Sequence, residues 1–168
     1  TITVNDLIAP VIIGIPNDVT VTCINIPPIV TLTATDNCDN NPSLTFLETK
    51  VLGSCVNNYV LLRKWTSLDK CGNKTEKTQT ITVQDIEKPV FTNTPVDLNL
   101  SCTDPVVEFI PIATDNCSGV VNIIKSENKT IGSCPQNYTL EKTWTATDVC
   151  GNTTSYGDTV CKCPCFEY

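Results

Sequence analysis

The segment KWTSLDKCGN (residues 64–73) decides the fold, because it recurs as TWTATDVCGN at residues 143–152. Trp, Asp, Cys, Gly and Asn stand at the same places in both copies, 79 residues apart. The same offset relates two sets of four cysteines, which are Cys23, Cys38, Cys55 and Cys71, and Cys102, Cys117, Cys134 and Cys150. So many rare residues aligned in one register without a gap indicate an internal duplication.

The duplication also predicts the domain boundaries. The opening TITVND (residues 1–6) matches TITVQD (residues 80–85), so residues 1–6 are expected to be the last strand of a preceding repeat. The first repeat then covers residues 7–85, and the second covers residues 86–168 with an atypical, cysteine-rich C-terminus. Short linkers that contain proline leave little freedom between repeats, which favours an extended, stiff rod.

Within each repeat the hydrophobic pattern has a period of two. Thr and Gln alternate with β-branched apolar residues in TQTITV (residues 78–83), which is typical of a half-buried strand. In the second repeat Tyr138, Leu140, Trp144 and Ala146 share one parity. We therefore predict an all-β chain of two tandem immunoglobulin-like β-sandwiches, with Trp144 and its counterpart Trp65 in the cores.

Composition excludes several classes of function. The chain has 168 residues, a net charge of −7, 11 cysteines and no His, so a Ser-His-Asp triad or a Cys-His nucleophile is excluded. The absence of a Lys/Arg run argues against a nucleic-acid partner, and no apolar stretch approaches the roughly 20 residues needed for membrane insertion. The sequence predicts no enzyme, and its cysteine content predicts an extracellular or cell-surface location.

The cysteine spacing favours disulfides over a metal cluster. Four cysteines in one repeat allow three pairings. In a sandwich, Cys23 and Cys55 are expected at one end of the repeat, and Cys38 and Cys71 at the other. The predicted bonds are Cys23–Cys55, Cys38–Cys71, Cys102–Cys134 and Cys117–Cys150. A sequential pairing, Cys23–Cys38 with Cys55–Cys71, remains the alternative.

Two short boxes carry a family resemblance. The first is ATDNC, at residues 34–38 and 113–117, and the second is DxCGN, at residues 69–73 and 148–152. The chain resembles hyalin-type (HYR-like) immunoglobulin-like tandem repeats of large bacterial surface adhesins of the gliding-motility type. This resemblance implies a secreted or surface-anchored array that mediates attachment to surfaces or movement over them.

The acidic residues of the boxes are candidate calcium ligands. In the sandwich, Asp and Asn from three segments are expected to meet at the junction between repeats, and Ca²⁺ prefers such hard oxygen ligands. The simpler interpretation is that these residues form turns. The predicted sets are Asp6, Asp36, Asn37, Asp69 and Asn73 in the first repeat, and Asp85, Asp115, Asn116, Asp148 and Asn152 in the second.

The last three cysteines have no counterpart in the first repeat. Cys161, Cys163 and Cys165 alternate along one strand, and eight plus three cysteines make an odd number. We expect at least one of them to be available for an intermolecular disulfide, and a soft-metal site is the alternative.

The sequence favours a non-enzymatic structural and adhesive module of a long surface adhesin or fibre. Its partners would be neighbouring repeats of the same array. One alternative is a specific module in which loops such as Asp39–Ser43 bind a surface glycan or protein. The other is a subunit of a polymerising extracellular filament.

Overall fold

The computed structural model describes residues 2–101, 104–117, 119–133 and 137–162. It divides the chain into two compact units, Thr1–Asp85 (unit one) and Ile86–Tyr168 (unit two). All described secondary structure is β, and each unit is an immunoglobulin-like β-sandwich, which confirms the predicted fold class. The rod shape stays a prediction. Among the described residues, no helix has the length and apolar character needed to cross a bilayer.

Unit one contains six described strands in two sheets. They are β1 (Val11–Ile13), β2 (Val19–Thr22), β3 (Thr33–Thr35), β4 (Ser43–Leu52), β5 (Tyr59–Leu68) and β6 (Lys74–Gln84). One sheet pairs β1 with β3, and the other has the order β2-β6-β5-β4. The β4–β5 and β5–β6 pairs are antiparallel hairpins, whereas β2 runs parallel to β6.

The core of unit one lies between these sheets. Trp65 of β5 is 3% exposed and packs against Ile12 of β1 and against Leu32. Below it, Leu61 and Ile81 belong to a second buried cluster that also contains Val83. The alternation predicted for the β5 segment is therefore present, because every second side chain from Leu61 to Ser67 is buried.

Unit two repeats this arrangement at the same offset. Its strands are β7 (Val90–Asn93), β8 (Leu98–Leu100), β9 (Ile112–Thr114), β10 (Asn122–Ile131), β11 (Tyr138–Thr147) and β12 (Thr153–Lys162). They form a β7–β9 pair and a four-stranded sheet of order β10-β11-β12-β8. Trp144 is 2% exposed and meets the ring of Phe109 edge-on, so both predicted tryptophan anchors are core residues.

Each unit also buries a cation on the inward face of its central strand. The Arg63 guanidinium donates to the Glu48 carboxylate (2.7 Å) and to the carbonyls of Pro27 (2.9 Å) and Pro28 (3.1 Å). The equivalent Lys142 donates only to Glu108 (3.4 Å) among the described residues. The two sandwiches therefore hold the same buried charge with different partners.

The strand predicted for residues 1–6 is absent from the described part of that segment. Residues 2–10 lie outside the strands, and β1 begins at Val11. The predicted strand would pair within a preceding repeat, so its assignment to such a repeat stays a prediction. Residues 2–10 are instead a connecting segment that reaches the loops of unit one.

Candidate metal centre

Three segments of unit one bring carboxylates to one end of the sandwich. Asp6 lies on the segment before β1, Asp36 follows β3, and Asp69 opens the turn between β5 and β6. One carboxylate oxygen from each of these residues lies within 4.8 Å of the others. We call these three residues the acidic cluster. The sequence predicted that they would meet, and they do.

One carboxylate oxygen of Asp36 stabilises its loop, and the other has no hydrogen-bond partner. Its Oδ1 accepts hydrogen bonds from the backbone N–H groups of Cys38 (3.0 Å) and Asp39 (2.9 Å). Its Oδ2 is buried and has no hydrogen-bond partner. Buried polar atoms are seldom left unsatisfied, so this oxygen is the part of the cluster that a turn does not explain.

Both carboxylate oxygens of Asp69 accept hydrogen bonds, in contrast to those of Asp36. It is 5% exposed, and its Oδ1 accepts from the backbone N–H groups of Cys71 (2.8 Å) and Asn73 (2.8 Å). Burial acts to raise the pKa of this carboxyl, but hydrogen bonds from the side chain and backbone of Asn73 and from the backbone of Cys71 outweigh it, so the pKa lies below its usual value. Asp69 is thus ionised and fixed in place.

The two predicted amide ligands of unit one, Asn73 and Asn37, make different hydrogen bonds. Asn73 Nδ2 donates to Asp69 Oδ2 (2.7 Å) and to the backbone carbonyl of Asp6 (3.1 Å), so it ties the entering segment to the turn. Asn37 instead turns its amide toward the Cys38 sulfur (3.0 Å). Asn73 is therefore a positioning residue, and the ligand role of Asn37 stays a prediction.

Gly72 explains why the second box ends in Gly-Asn. Its φ is +93°, a left-handed conformation that side chains disfavour, and its N–H donates to the Asp69 carbonyl (3.3 Å). Gly151 of unit two has the same conformation, with φ of +89°. The box DxCGN is thus first of all a turn, and the carboxylate of its Asp is aimed by that turn.

The predicted Cys38–Cys71 disulfide is not formed. Both residues are free, exposed thiols. The Cys38 sulfur accepts a hydrogen bond from Asn37 Nδ2 (3.0 Å), and its thiol hydrogen-bonds with Asp6, while Cys71 lies close enough to affect the Cys38 pKa. Desolvation, followed by the negative charges of Asp6 and Asp36, raises the pKa of the Cys38 thiol.

The other predicted disulfides are found in part. Cys23 and Cys55 of unit one are disulfide-bonded, and so are Cys117 and Cys150 of unit two. The predicted Cys102–Cys134 bond lies outside the described residues, as do Cys163 and Cys165. Cys161 is a free, exposed thiol, and its intermolecular role stays a prediction.

In unit two the corresponding residues make the same local turns. Asp148 Oδ1 accepts from the backbone N–H groups of Cys150 (2.8 Å) and Asn152 (2.9 Å), and Asp115 Oδ1 accepts from Cys117 (2.8 Å). Asn116 is exposed beside Asp115. Asp85, the counterpart of Asp6, belongs to unit one, where it is 3% exposed and accepts from Asn57 Nδ2 (3.1 Å). The second calcium set stays a prediction.

Sequence reasoning missed an ion pair that joins the loop after β3 to the turn after β5 in unit one. Asp39 is 6% exposed and accepts from the backbone N–H (3.1 Å) and the Nζ (2.8 Å) of Lys70. The hydrogen bond from the Lys70 side chain is the main cause that lowers the pKa of Asp39. A signal was present, because the repeat replaces both residues together, with Ser118 and Val149. Asp39 is therefore tied to Lys70 within the fold, and the ligand-binding role of the Asp39–Ser43 loop stays a prediction.

Comparisons with known proteins find only distant structural likenesses. No protein-family model and no curated protein matches this chain. A crystal structure of protocadherin gamma C5 EC1-3 matches it with 11% identity and a TM-score of 0.38, over 91% of this chain and 68% of that one. A crystal structure of Drosophila N-cadherin EC1-4 matches with 17% identity and a TM-score of 0.36, over 95% of this chain and 51% of that one.

Proposed function

We propose that this chain is a non-enzymatic structural and adhesive segment of an extracellular repeat array, stiffened by Ca²⁺ at the acidic cluster. The observation that carries the proposal is the convergence of Asp6, Asp36 and Asp69 from three separate segments, with one oxygen of Asp36 buried and unpartnered. Three carboxylates that meet without a cation repel one another, and a divalent cation removes that cost.

The chemistry of the acidic cluster fits calcium. All three side chains offer hard carboxylate oxygens, and Ca²⁺ takes six to eight oxygen ligands, including backbone carbonyls and water. Bound Ca²⁺ would strengthen the connection between the entering segment and the loops of unit one, where Asp6 already hydrogen-bonds with Asn73 and with the Cys38 thiol. It would thereby stiffen the path by which the chain enters the sandwich.

Cysteine chemistry and repetition support the extracellular and structural parts of the proposal. The chain contains disulfide-bonded cysteines in both units, and such bonds persist outside the reducing cytosol. Duplication creates length more readily than it creates a catalytic cleft. The ATDNC and DxCGN boxes support the finer assignment, to hyalin-type repeats of a bacterial surface adhesin.

Calcium binding can be tested by isothermal titration and by melting the chain with Ca²⁺ or with EDTA. We expect a dissociation constant of about 10⁻⁴–10⁻³ M or tighter, as in other extracellular calcium modules, and a higher Tm with Ca²⁺. Asp36→Asn keeps the Oδ1 acceptor but removes the charge, so affinity should fall at least tenfold.

The matched control is Glu141→Gln, which removes one charge from an exposed side chain of unit two. It should leave both the affinity and the shift in Tm unchanged. An EDTA-insensitive Tm together with no heat of binding would refute the calcium centre. A loss of binding in both variants would show only diffuse attraction to a chain of net charge −7.

A further inference from the structure

Strand β4 forms an open edge of unit one. It ends the sheet β2-β6-β5-β4 and, among the described residues, it pairs only with β5. It is ten residues long, contains neither Pro nor Gly, and its register with β5 has no irregularity. Proteins usually shorten, bend or block a free edge, because its unpaired backbone groups can bind another strand. The edge is about 34 Å long, and a strand that pairs with it has to match the charges of Glu48 and Lys50.

The hairpin geometry identifies which backbone groups are free. Gly53 donates its N–H to the Asn58 carbonyl (2.7 Å) at the end of the β4–β5 hairpin. Hydrogen-bonded and non-hydrogen-bonded pairs alternate along an antiparallel ladder. Counting back from Gly53, the odd-numbered residues of β4 bond β5. The even-numbered residues, from Leu44 to Leu52, turn their N–H and C=O groups toward the open edge.

The sequence of β4 is complementary to itself around Thr49. In an antiparallel pair centred there, Glu48 faces Lys50 of the other strand, and Lys50 faces Glu48. The next pairs outward are Leu47 with Val51 and Phe46 with Leu52. Opposite charges, apolar side chains and Thr are each matched, which is the pattern that stabilises a strand pair. Centring on Glu48 or on Lys50 would set like charges against each other.

The apolar members of this pattern are open to solvent. Leu47 is 61% exposed and Leu52 is 71% exposed, while Val51 and Phe46 are 48% and 39% exposed. Pairing at the edge would cover apolar groups on both faces of the sheet at once. The two charged residues at the centre of β4 each have one neighbour within unit one. Glu48 contacts Arg63 through Oε2, and Lys50 lies over the Tyr59 ring at 3.6 Å.

We propose that β4 pairs antiparallel with β4 of a second copy of this chain, about a two-fold axis at Thr49. The two four-stranded sheets become one continuous sheet. Four residue pairs, from Phe46 to Leu52, exchange about eight backbone hydrogen bonds. Such an interface is isologous and closes as a dimer. The proposal does not depend on calcium.

The homologous edge in unit two provides an internal control. Strand β10 also ends its sheet, and it keeps Glu127 and Lys129 at the equivalent positions. Its other positions lose the match, because Lys125 and Ser126 replace Phe46 and Leu47. Self-pairing of β10 would set Lys125 against Ile131, a charge against an apolar side chain. The edge that pairs is therefore β4.

The first test measures dimerisation of the whole chain by sedimentation velocity over a wide concentration range, in EDTA and in Ca²⁺. Lys50→Glu sets a carboxylate against Glu48 of the second copy, twice by symmetry, so we expect dimerisation at least tenfold weaker. Lys129→Glu is the matched control, because Lys129 lies over Tyr138 (4.0 Å) as Lys50 lies over Tyr59. It should dimerise as the unaltered chain does.

The second test traps the predicted register. Thr49 faces its own copy as a non-hydrogen-bonded pair, with Cα atoms about 4.5 Å apart, which a disulfide can span. Thr49→Cys treated with glutathione disulfide should give a covalent dimer. Two introduced thiols are oxidised to one disulfide while one glutathione disulfide is reduced to two thiols. Asn128→Cys, the counterpart in unit two, should not exceed the background that the unaltered chain gives through Cys38, Cys71 and Cys161.

A chain that stays monomeric at every concentration overturns the proposal, and so does equal loss of dimer in Lys50→Glu and Lys129→Glu. Equal cross-linking of the Thr49→Cys and Asn128→Cys variants would also overturn it. Dimerisation of Asp36→Asn separates this result from the calcium centre. That variant should pair normally even though its calcium affinity falls, so either proposal can fail without the other.

Discussion

The two units share one sequence register but fasten the same pair of loops by different means. In unit one, the loop after β3 and the turn after β5 are joined by the Asp39–Lys70 ion pair, and Cys38 and Cys71 stay reduced. In unit two, Val149 replaces Lys70, and Cys117 and Cys150 on the same two segments are disulfide-bonded. A repeated box therefore specifies a turn, whereas the bond across the turns depends on the residues beside it.

The sharpest test of this comparison is thiol labelling of the unreduced chain. Cys38 and Cys71 should be alkylated completely in denaturant without a reductant, because they are thiols. Cys117 and Cys150 should be labelled only after reduction. Peptide mass spectrometry distinguishes the four sites. Protection of Cys38 and Cys71 before reduction would restore the sequence-based pairing and remove the contrast between the units.

Replacing these cysteines should destabilise unit two more than unit one, because only unit two has a disulfide there. The double variant Cys117→Ser/Cys150→Ser is expected to destabilise unit two by about 3 kcal/mol, because it releases a loop of some thirty residues in the unfolded chain. The matched Cys38→Ser/Cys71→Ser should cost unit one less than about 1 kcal/mol, since exposed thiols are replaced by hydroxyls. Hydrogen exchange of peptides from β5 and β11 reports the two units separately. Similar losses in both would contradict the comparison.

Removing the buried cation should destabilise the two units by amounts that differ less than in the cysteine variants. Arg63→Met is expected to destabilise unit one by about 2 kcal/mol, because it leaves the carbonyls of Pro27 and Pro28 and the carboxylate of Glu48 without their donor. Lys142→Met should cost unit two less, about 1 kcal/mol, since Glu108 is half exposed and can be solvated even though the buried Asp158 loses a nearby positive charge. Chemical denaturation of both variants checks the order, and the reverse order would count against this assignment of partners.

The smallest effect is expected where a buried amide in one unit corresponds to a carboxylate in the other. Gln79 donates to the Asn17 carbonyl (2.8 Å), whereas its counterpart Asp158 is 6% exposed, and burial, with Asp97 nearby, raises its pKa. A raised pKa in the folded state means a stability contribution that is present in acid and lost as the pH rises.

Asp158→Gln should therefore stabilise unit two by about 1 kcal/mol at neutral pH, because it copies the amide of unit one. The gain should shrink toward pH about 3, where Asp158 is protonated. Melting curves across this pH range provide the measurement. The converse variant, Gln79→Asp, should destabilise unit one at neutral pH, and a gain that did not change with pH would exclude titration of Asp158 as its source.

The fold was largely predictable because the repeat shows each strand twice. The parity of Tyr138, Trp144 and Ala146 identified the buried face, and the matched tryptophans marked the two cores. The assignment of residues 1–6 to the last strand of a preceding repeat stays a prediction, because a strand-like sequence forms a strand only beside a sheet edge that accepts it. Local pattern alone carries no information about which edges are free.

The acidic cluster was predictable in its carboxylates and less so in its details. Turn-forming boxes at one end of a sandwich necessarily bring Asp36 and Asp69 together, and Asp6 follows from the chain path. The role of Asn73 as a donor, and the Asp39–Lys70 ion pair, depend on side-chain rotamers that spacing does not encode. The Cys38–Cys71 prediction failed for the same kind of reason, because spacing does not encode the side-chain orientation of Cys38, whose sulfur contacts Asn37 and Asp6.

The parallel pairing of β2 with β6 bears on how unit one responds to tension. Val19 of β2 lies beside Ile81, and Thr22 lies beside Gln84, so the chain enters this ladder at one end and leaves it at the other. A pull on the two ends of the unit drags these strands past each other, and the rungs of the ladder share the load and rupture together. Antiparallel neighbours pulled from one end would open rung by rung. The parallel arrangement of β8 with β12 has three residue pairs against four, so unit two should resist shear in the same way but less strongly.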